Sequence, residues 1–172
     1  EGVGEVTQRE LLKNALRMRP DRIVLGEVRG GEVLDMLQAM NTGHDGSLAT
    51  LHANSPRDSI ARLELMINLS GVDIPAASIR KQIASAIDLI IYVNRGKDGK
   101  RRVESVTEVV GIEEDNVVLQ EIFTFENSFD KSSNMMRGSF KATGLRPSCG
   151  KKCEAVGYKL PQDLFSFTQE VF

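Results

Sequence analysis

Asp21-Arg22-Ile23-Val24-Leu25-Gly26-Glu27-Val28-Arg29-Gly30-Gly31 is the stretch that decides the fold. Its short apolar run, Ile23-Val24-Leu25, reads as a buried strand of a parallel sheet. Such strands carry near-continuous apolar side chains because helices cover both faces. Gly30-Gly31 breaks the strand. A helix is predicted next, with Val33, Leu34, Leu37 and Met40 on its apolar side and Gly43 as its C-terminal cap. Strand, break and helix in that order are the repeating unit of α/β architecture. Glu27 and Arg29 then fall just beyond the C-terminal end of the strand, the face at which open α/β sheets bind ligands. A carboxylate there can hold the water shell of Mg²⁺ and orient a nucleophilic water. Read in isolation, the string serves equally well as an acid capping the helix after Gly31.

The second constellation runs from Thr42 to Ser55: Thr-Gly-His-Asp-Gly-Ser-Leu-Ala-Thr-Leu-His-Ala-Asn-Ser. Both histidines of the chain, His44 and His52, fall here, eight residues apart and flanking a strand predicted over Ser47–Leu51. An imidazole donates hydrogen bonds and can carry charge near neutral pH, which suits contact with a phosphate. A lone histidine more often packs or caps. Two at the ends of one strand, beside a strand ending in Glu27, favour a functional role.

Outward from this centre the pattern stays helical. Thr7 with Glu10 three residues on forms a capping box, and Leu11, Leu12, Ala15 and Leu16 recur at helical spacing until Pro20. Ser55-Pro56-Arg57-Asp58 supplies an N-cap, a proline at the first helical position and an acid in the first turn. Ile60, Leu63 and Ile67 line that helix. After a turn at Gly71, Pro75 opens another carrying Ile79, Ile83 and Ile87. Leu89–Val93 reads as a third core strand. Beyond it, Arg102–Val110 and Asn116–Phe125 are β-rich runs, predicted as an antiparallel meander extending the sheet. Gly96–Lys100 reads as a hairpin turn. The text after Asn127 turns polar, with a loop at Ser132-Ser133-Asn134. The Phe-rich end, Leu160–Phe172, reads as a docked helix whose Phe165, Phe167 and Phe172 pack. Two regions follow, 1–127 as an α/β domain and 128–172 as an irregular extension.

The 22 basic and 24 acidic residues leave a formal charge of −2, which removes the electrostatic case for a bulk nucleic-acid binder. The longest apolar run, Leu89–Val93, is far short of the roughly 20 residues a spanning helix needs. Cys149 and Cys153 make no disulfide framework and too few ligands for zinc, so free thiols in a reducing compartment are expected. Lys100-Arg101-Arg102 and Glu113-Glu114-Asp115 read as solvated hairpin tips. The chain begins at Glu1 rather than Met, which suggests that it was cut from a longer one.

Leu25-Gly26-Glu27-Val28-Arg29 and Gly43–Asn54 together resemble the Walker B and His boxes of the type II/type IV secretion ATPases. Leu16–Asp21, Asp35–Thr42, Gln82–Ile90 and Thr143-Gly144-Leu145-Arg146-Pro147 resemble the CpaF/TadA branch, which serves pilus assembly and secretion. The resemblance implies the C-terminal half of a RecA-like P-loop NTPase core, with a mostly parallel sheet extended by the meander. It implies ATP and Mg²⁺ as ligands, Glu27 as the metal-holding and catalytic acid, and Gly26 beside it at the nucleotide. His44 and His52 would be catalytic, with His52 the nearer to the γ-phosphate, and Arg29 would link the site to neighbouring strands. Arg17 and Arg19 would reach the nucleotide of an adjacent subunit in a homo-hexamer, although exposed arginines are more often plain solvated charges. The resemblance further implies a cytoplasmic location at the inner face of the membrane, held there through an inner-membrane platform protein, and no nucleic acid.

A phosphate-binding loop requires Gly-x-x-x-x-Gly-Lys-Ser/Thr, and the chain has no such string. In the resembling family that loop and an acidic Asp box precede the Walker B strand, and Glu1, Gly2 and Gly4–Thr7 resemble the link after that box. The isolated chain is therefore expected not to turn over ATP. The rival readings are a non-catalytic assembly or regulatory module that kept the fold, and a RecA-like nucleic-acid translocase, disfavoured because no basic stripe exists.

Overall fold

Thr7 starts the first helix as its spacing to Glu10 requires. Its hydroxyl accepts the Glu10 backbone N–H at 3.2 Å, and the Glu10 carboxylate accepts the Thr7 N–H at 2.9 Å. Two unpaired donors at the start of α1 (Gln8–Arg17) are thus satisfied. The computed structural model describes residues 4–133 and 135–171. Glu1 and Gly2 of the link, Asn134 of the loop and Phe172 of the tail lie outside the described residues.

The helix leaves through Arg19, at a left-handed φ of +54°, and Pro20 prevents its continuation. β1 (Val24–Leu25) pairs in parallel with β2 (Leu48–Ala49), Val24 opposite Leu48. Leu48 N–H to Ile23 O and Val28 N–H to Thr50 O, each 2.8 Å, carry the pairing past both ends. Between the strands runs α2 (Glu32–Asn41), the crossover that parallel pairing demands. Gly43 follows it at a φ of +98°, the left-handed position past a helix end that glycine takes without a Cβ clash. α3 (Pro56–Leu69) opens where Ser55 Oγ accepts the Asp58 N–H at 3.0 Å, and α4 (Ala76–Ala86) follows Pro75.

The predicted apolar faces are the buried ones: Val33, Leu34 and Leu37 on α2, Ile60, Leu63 and Ile67 on α3, and Ile79 and Ile83 on α4. α2 packs against α1, α3 and α4. Leu12, Ile23, Met36 and Ala39 form a core cluster joined by Leu16, Leu25 and Met40. This covers one face of the strand pair. Val24 and Leu48, paired on the opposite face, are 73% and 61% exposed. β1 is therefore half-buried, not the buried strand its apolar run suggests, because strand side chains alternate and only the Ile23/Leu25 side meets α1 and α2.

β3 (Leu89–Arg95) corrects the sequence reading more deeply. It does not join the parallel pair but runs antiparallel to β4 (Arg101–Glu113). With β5 (Asn116–Asp130), β6 (Met135–Ala142) and β7 (Thr168–Val171) it forms a separate five-stranded sheet in sequence order. Among the described residues the expected mostly parallel sheet is one parallel pair, and the meander is a sheet of its own rather than an extension. The turn at 96–100, closed by Gly96 N–H to Lys100 O at 2.9 Å, supplies the reason. A connection that short can only return the chain antiparallel. Glu114 and Asp115, both at positive φ, make the two-residue turn between β4 and β5.

The chain divides into two compact units, 1–87 with 111–117 and 88–110 with 118–172. The boundary expected at 127 falls inside β5. In the first unit, Arg57 Nη1 donates to Val117 O at 3.0 Å, and Arg80 Nη1 donates to Asp115 O at 3.1 Å. In the second, the terminal stretch is a short 3₁₀ turn (Asp163–Phe165) and β7 rather than a helix. Its aromatic and β-branched residues favour a strand, and β6 offers a partner edge. Phe165 is buried and stacks on Phe123 at 6.0 Å, with the Arg146 guanidinium over its ring. Arg102, expected as a solvated tip charge, is mostly buried and makes a bidentate pair with Asp98 at 2.9 and 2.6 Å. No helix of the described residues is long and apolar enough to cross a membrane.

Candidate active site

Parallel strands deliver their C-terminal ends to the same edge, and here that edge gathers charge. Glu27 stands two residues past β1 and His52 three past β2. Arg29 Nη2 lies 2.7 Å from Glu27 Oε2, and His52 Nε2 lies 3.2 Å from Oε1. The Glu27 side chain is 26% exposed, against 73% for Arg29 and 82% for His52. The acid sits at the base of the cluster with its partners towards solvent. The hydrogen bond from Arg29 holds the Glu27 carboxyl below the usual carboxylate range and outweighs a desolvation effect in the other direction. The charges of Arg29, His52 and Arg62 act the same way. Arg29 is in turn pushed above its ordinary value, first by that hydrogen bond. Glu27 is thus an anion at neutral pH.

The turn that carries Glu27 is braced from several sides. Thr50 Oγ1 donates to the Gly26 carbonyl, and Gln8 Nε2 on α1 donates to the Glu27 carbonyl at 3.0 Å. Glu32, at the start of α2 and only 8% exposed, accepts the Arg29 and Gly30 N–H groups at 2.7 and 3.0 Å through Oε1. Burial works to raise the Glu32 pKa, but these backbone donors and its own N–H outweigh it, and the pKa falls. Sequence reasoning missed Gln8, Glu32, Thr50 and Arg62. Thr50 lies within the quoted histidine stretch and Glu32 directly follows Gly30-Gly31. Gln8 and Arg62 carry no local signal.

His44 is placed elsewhere. It precedes β2 and His52 follows it, so the two histidines flank opposite ends of that strand. His44 Nδ1 lies 3.1 Å from Ala39 O, in the last turn of α2, where it braces a carbonyl at the helix end. The expected convergence of two imidazoles on Glu27 is therefore corrected to one. Arg17 and Arg19 are exposed, and among the described residues their side chains enter no ion pair or hydrogen bond.

A lone ionised carboxylate suits Mg²⁺ that arrives on a nucleotide, since this ion keeps waters and phosphate ligands and needs only one or two protein carboxylates. Among the described residues no group of three or more His, Cys, Asp or Glu forms a metal cage of its own. Glu27 would be the holding residue. Chemically, the cluster offers an anion for a hydrated cation flanked by two groups that can face phosphate oxygens.

The family described as type II/IV secretion system protein matches residues 1–159. A Mycobacterium tuberculosis protein named for conjugal transfer is 50% identical over 106 residues, 62% of this chain and 30% of that protein. The type IV secretion system protein PtlH of Bordetella pertussis is 41% identical over 105 residues, 59% of this chain and 31% of its own length. Among solved structures, the VirB11 ATPase of the Brucella suis type IV secretion system, in complex with sulphate, aligns with a TM-score of 0.55 at 34% identity. That alignment covers 59% of this chain and 33% of the other. The chain spans about three-tenths of the length of the curated relatives it matches.

Proposed function

Because the chain belongs to the type II/IV secretion system protein family, we propose that it carries the catalytic-acid side of the ATP site of a secretion ATPase. The observation that carries this reading is the meeting of Glu27, Arg29 and His52 at the C-terminal edge of a parallel strand pair. In this reading Glu27 holds the hydrated Mg²⁺ of the nucleotide and orients the attacking water. His52 faces the γ-phosphate, and Arg29 keeps the acid ionised and aimed. Gly26 borders the nucleotide. His44 braces the end of α2 through Ala39 O and leaves the chemistry to Glu27 and His52. Bound with ATP, Mg²⁺ would neutralise charge on the phosphates.

The larger setting is part of the same proposal. The strand pair with its crossover helix belongs to a RecA-like core, and the chain is of the CpaF/TadA branch, whose motifs its sequence resembles. In the full-length protein, ATP hydrolysis drives type IV secretion or pilus assembly. A homo-hexamer works at the cytoplasmic face of the membrane against a platform protein there, with Arg17 and Arg19 reaching a neighbour's nucleotide. That their side chains enter no ion pair or hydrogen bond among the described residues fits that placement, and head-to-tail contacts close such rings.

The test is ATP turnover by the full-length protein with and without Mg²⁺. The reading expects hydrolysis that chelation of Mg²⁺ abolishes. A full-length protein that binds no nucleotide would overturn it.

A further inference from the structure

Among the groups around the Gly26–Gly30 turn, Glu32 is unusual in being an acid that is both 8% exposed and bonded to backbone alone. One oxygen, Oε1, takes the N–H of Arg29 at 2.7 Å and the N–H of Gly30 at 3.0 Å. The same Arg29 places its guanidinium 2.7 Å from Glu27 Oε2. Arg29 is therefore gripped twice, its backbone by one carboxylate and its side chain by another. The packing leaves room for this grip and little else. A Cβ at Gly30 would come within 3.2 Å of Glu32 Oε2, and one at Gly31 within 3.2 Å of the Ser70 Cβ. The Gly30-Gly31 pair thus does more than end a strand, because any side chain at 30 would crowd the carboxylate.

We propose that Glu32 is a positioning residue, whose clamp on the Arg29 and Gly30 N–H groups fixes the turn so that the Arg29 guanidinium lies on Glu27. The inference rests on the reading of Glu27 as the catalytic acid and extends it to a residue bonded to the backbone of the turn. The clamp sets a direction. With it intact, the backbone leaves Val28 along one path, from which the Arg29 guanidinium reaches the Glu27 carboxylate at 2.7 Å. Without it, two backbone donors lose a charged acceptor, the turn relaxes, and Arg29 samples positions away from Glu27. A 1 Å misplacement of a positioning group is enough to slow chemistry substantially.

The experiment compares Glu32→Gln, Glu32→Asp and Glu32→Ala in the full-length protein, alone and with Arg29→Ala, by steady-state ATP hydrolysis and by amide hydrogen exchange over residues 28–31. Glutamine keeps a carbonyl oxygen at the same reach. It should retain kcat within about threefold and leave exchange slow. Aspartate is one methylene too short, and alanine has no acceptor. Both should lower kcat roughly tenfold with little change in KM, and speed exchange of the Arg29 and Gly30 amides, by the size of a lost charge-assisted hydrogen bond. In the Arg29→Ala background the same substitutions at 32 should lower kcat no further. Should Glu32→Ala not fold, the contrast between glutamine and aspartate decides alone. Equal losses for glutamine and aspartate, or a full further loss on top of Arg29→Ala, would overturn the proposal. If the parent protein proves inactive on ATP, the reading of the site fails, while amide exchange still decides whether the clamp exists. Exchange unchanged in Glu32→Ala would refute it.

Discussion

His52 Nε2 lies 3.2 Å from Oε1 of Glu27, while the second oxygen of that carboxylate is taken by Arg29 at 2.7 Å. One anion is shared between two groups that stand further into solvent than it does. That arrangement separates the roles of the two histidines. His52→Ala in the full-length protein should slow ATP hydrolysis at least tenfold with little change in melting behaviour. His44→Ala should do the reverse, costing about 1 kcal/mol of stability through the lost brace on Ala39 O. Paired thermal melts and turnover rates check both. Matching kinetic losses for the two variants would contradict the division.

Glu108 gives the second compact unit a pH dependence. It is 1% exposed and accepts the Ser148 hydroxyl at 2.7 Å and the Cys149 N–H at 2.8 Å. Burial acts to raise its pKa, but these donors outweigh it, so the folded-state value lies below the ordinary one. A depressed carboxylate contributes stability that is complete above the unfolded pKa, near 4, and is lost as pH falls through the folded value. Glu108→Gln should therefore flatten the acid side of the stability curve. Glu108→Ala should cost about 2 kcal/mol at neutral pH by stranding two donors. Denaturant melts between pH 3 and 7 would show either effect. An unaltered acid profile in the glutamine variant would count against this account.

The same carboxylate quiets a thiol. Cys149 is pushed up to about 11, first by burial and then by the nearby charge of Glu108 and Asp88. Since the thiolate is the nucleophile, alkylation at Cys149 should be slow at pH 8 and accelerate only above pH 10. Peptide mapping after timed iodoacetamide treatment reads this site directly. A rate at pH 8 equal to that of a free cysteine would contradict it.

Much of this was legible in the residues, and the failures have identifiable causes. The capping box at Thr7, the Ser55-Pro56 start and the isoleucines at 79 and 83 act through neighbours three or four positions away, so local spacing predicts them. That Glu27 and His52 share an edge was legible because each lies within three residues of the end of a short strand, and parallel strands end on one edge. His44 was misplaced, since a residue that precedes β2 lies at the opposite end of a parallel pair from Glu27, and its hydrogen bond to Ala39 O is a cap rather than a ligand contact. The placement of β3 failed for a related reason. An apolar run such as Leu89–Val93 fits a parallel or an antiparallel sheet alike, and only the length of the connection to β4 separates them. Glu32 could be read from its position after Gly30-Gly31 only once the turn had a shape.

The central claim is that Glu27 is the working acid of an ATP site. It is tested most directly by the rate of ATP hydrolysis in full-length Glu27→Gln beside the parent, with nucleotide binding measured on the same samples. Glutamine keeps the shape and removes the charge, so the account predicts a fall of about a hundredfold or more with ATP still bound. Hydrolysis at the parental rate would contradict it.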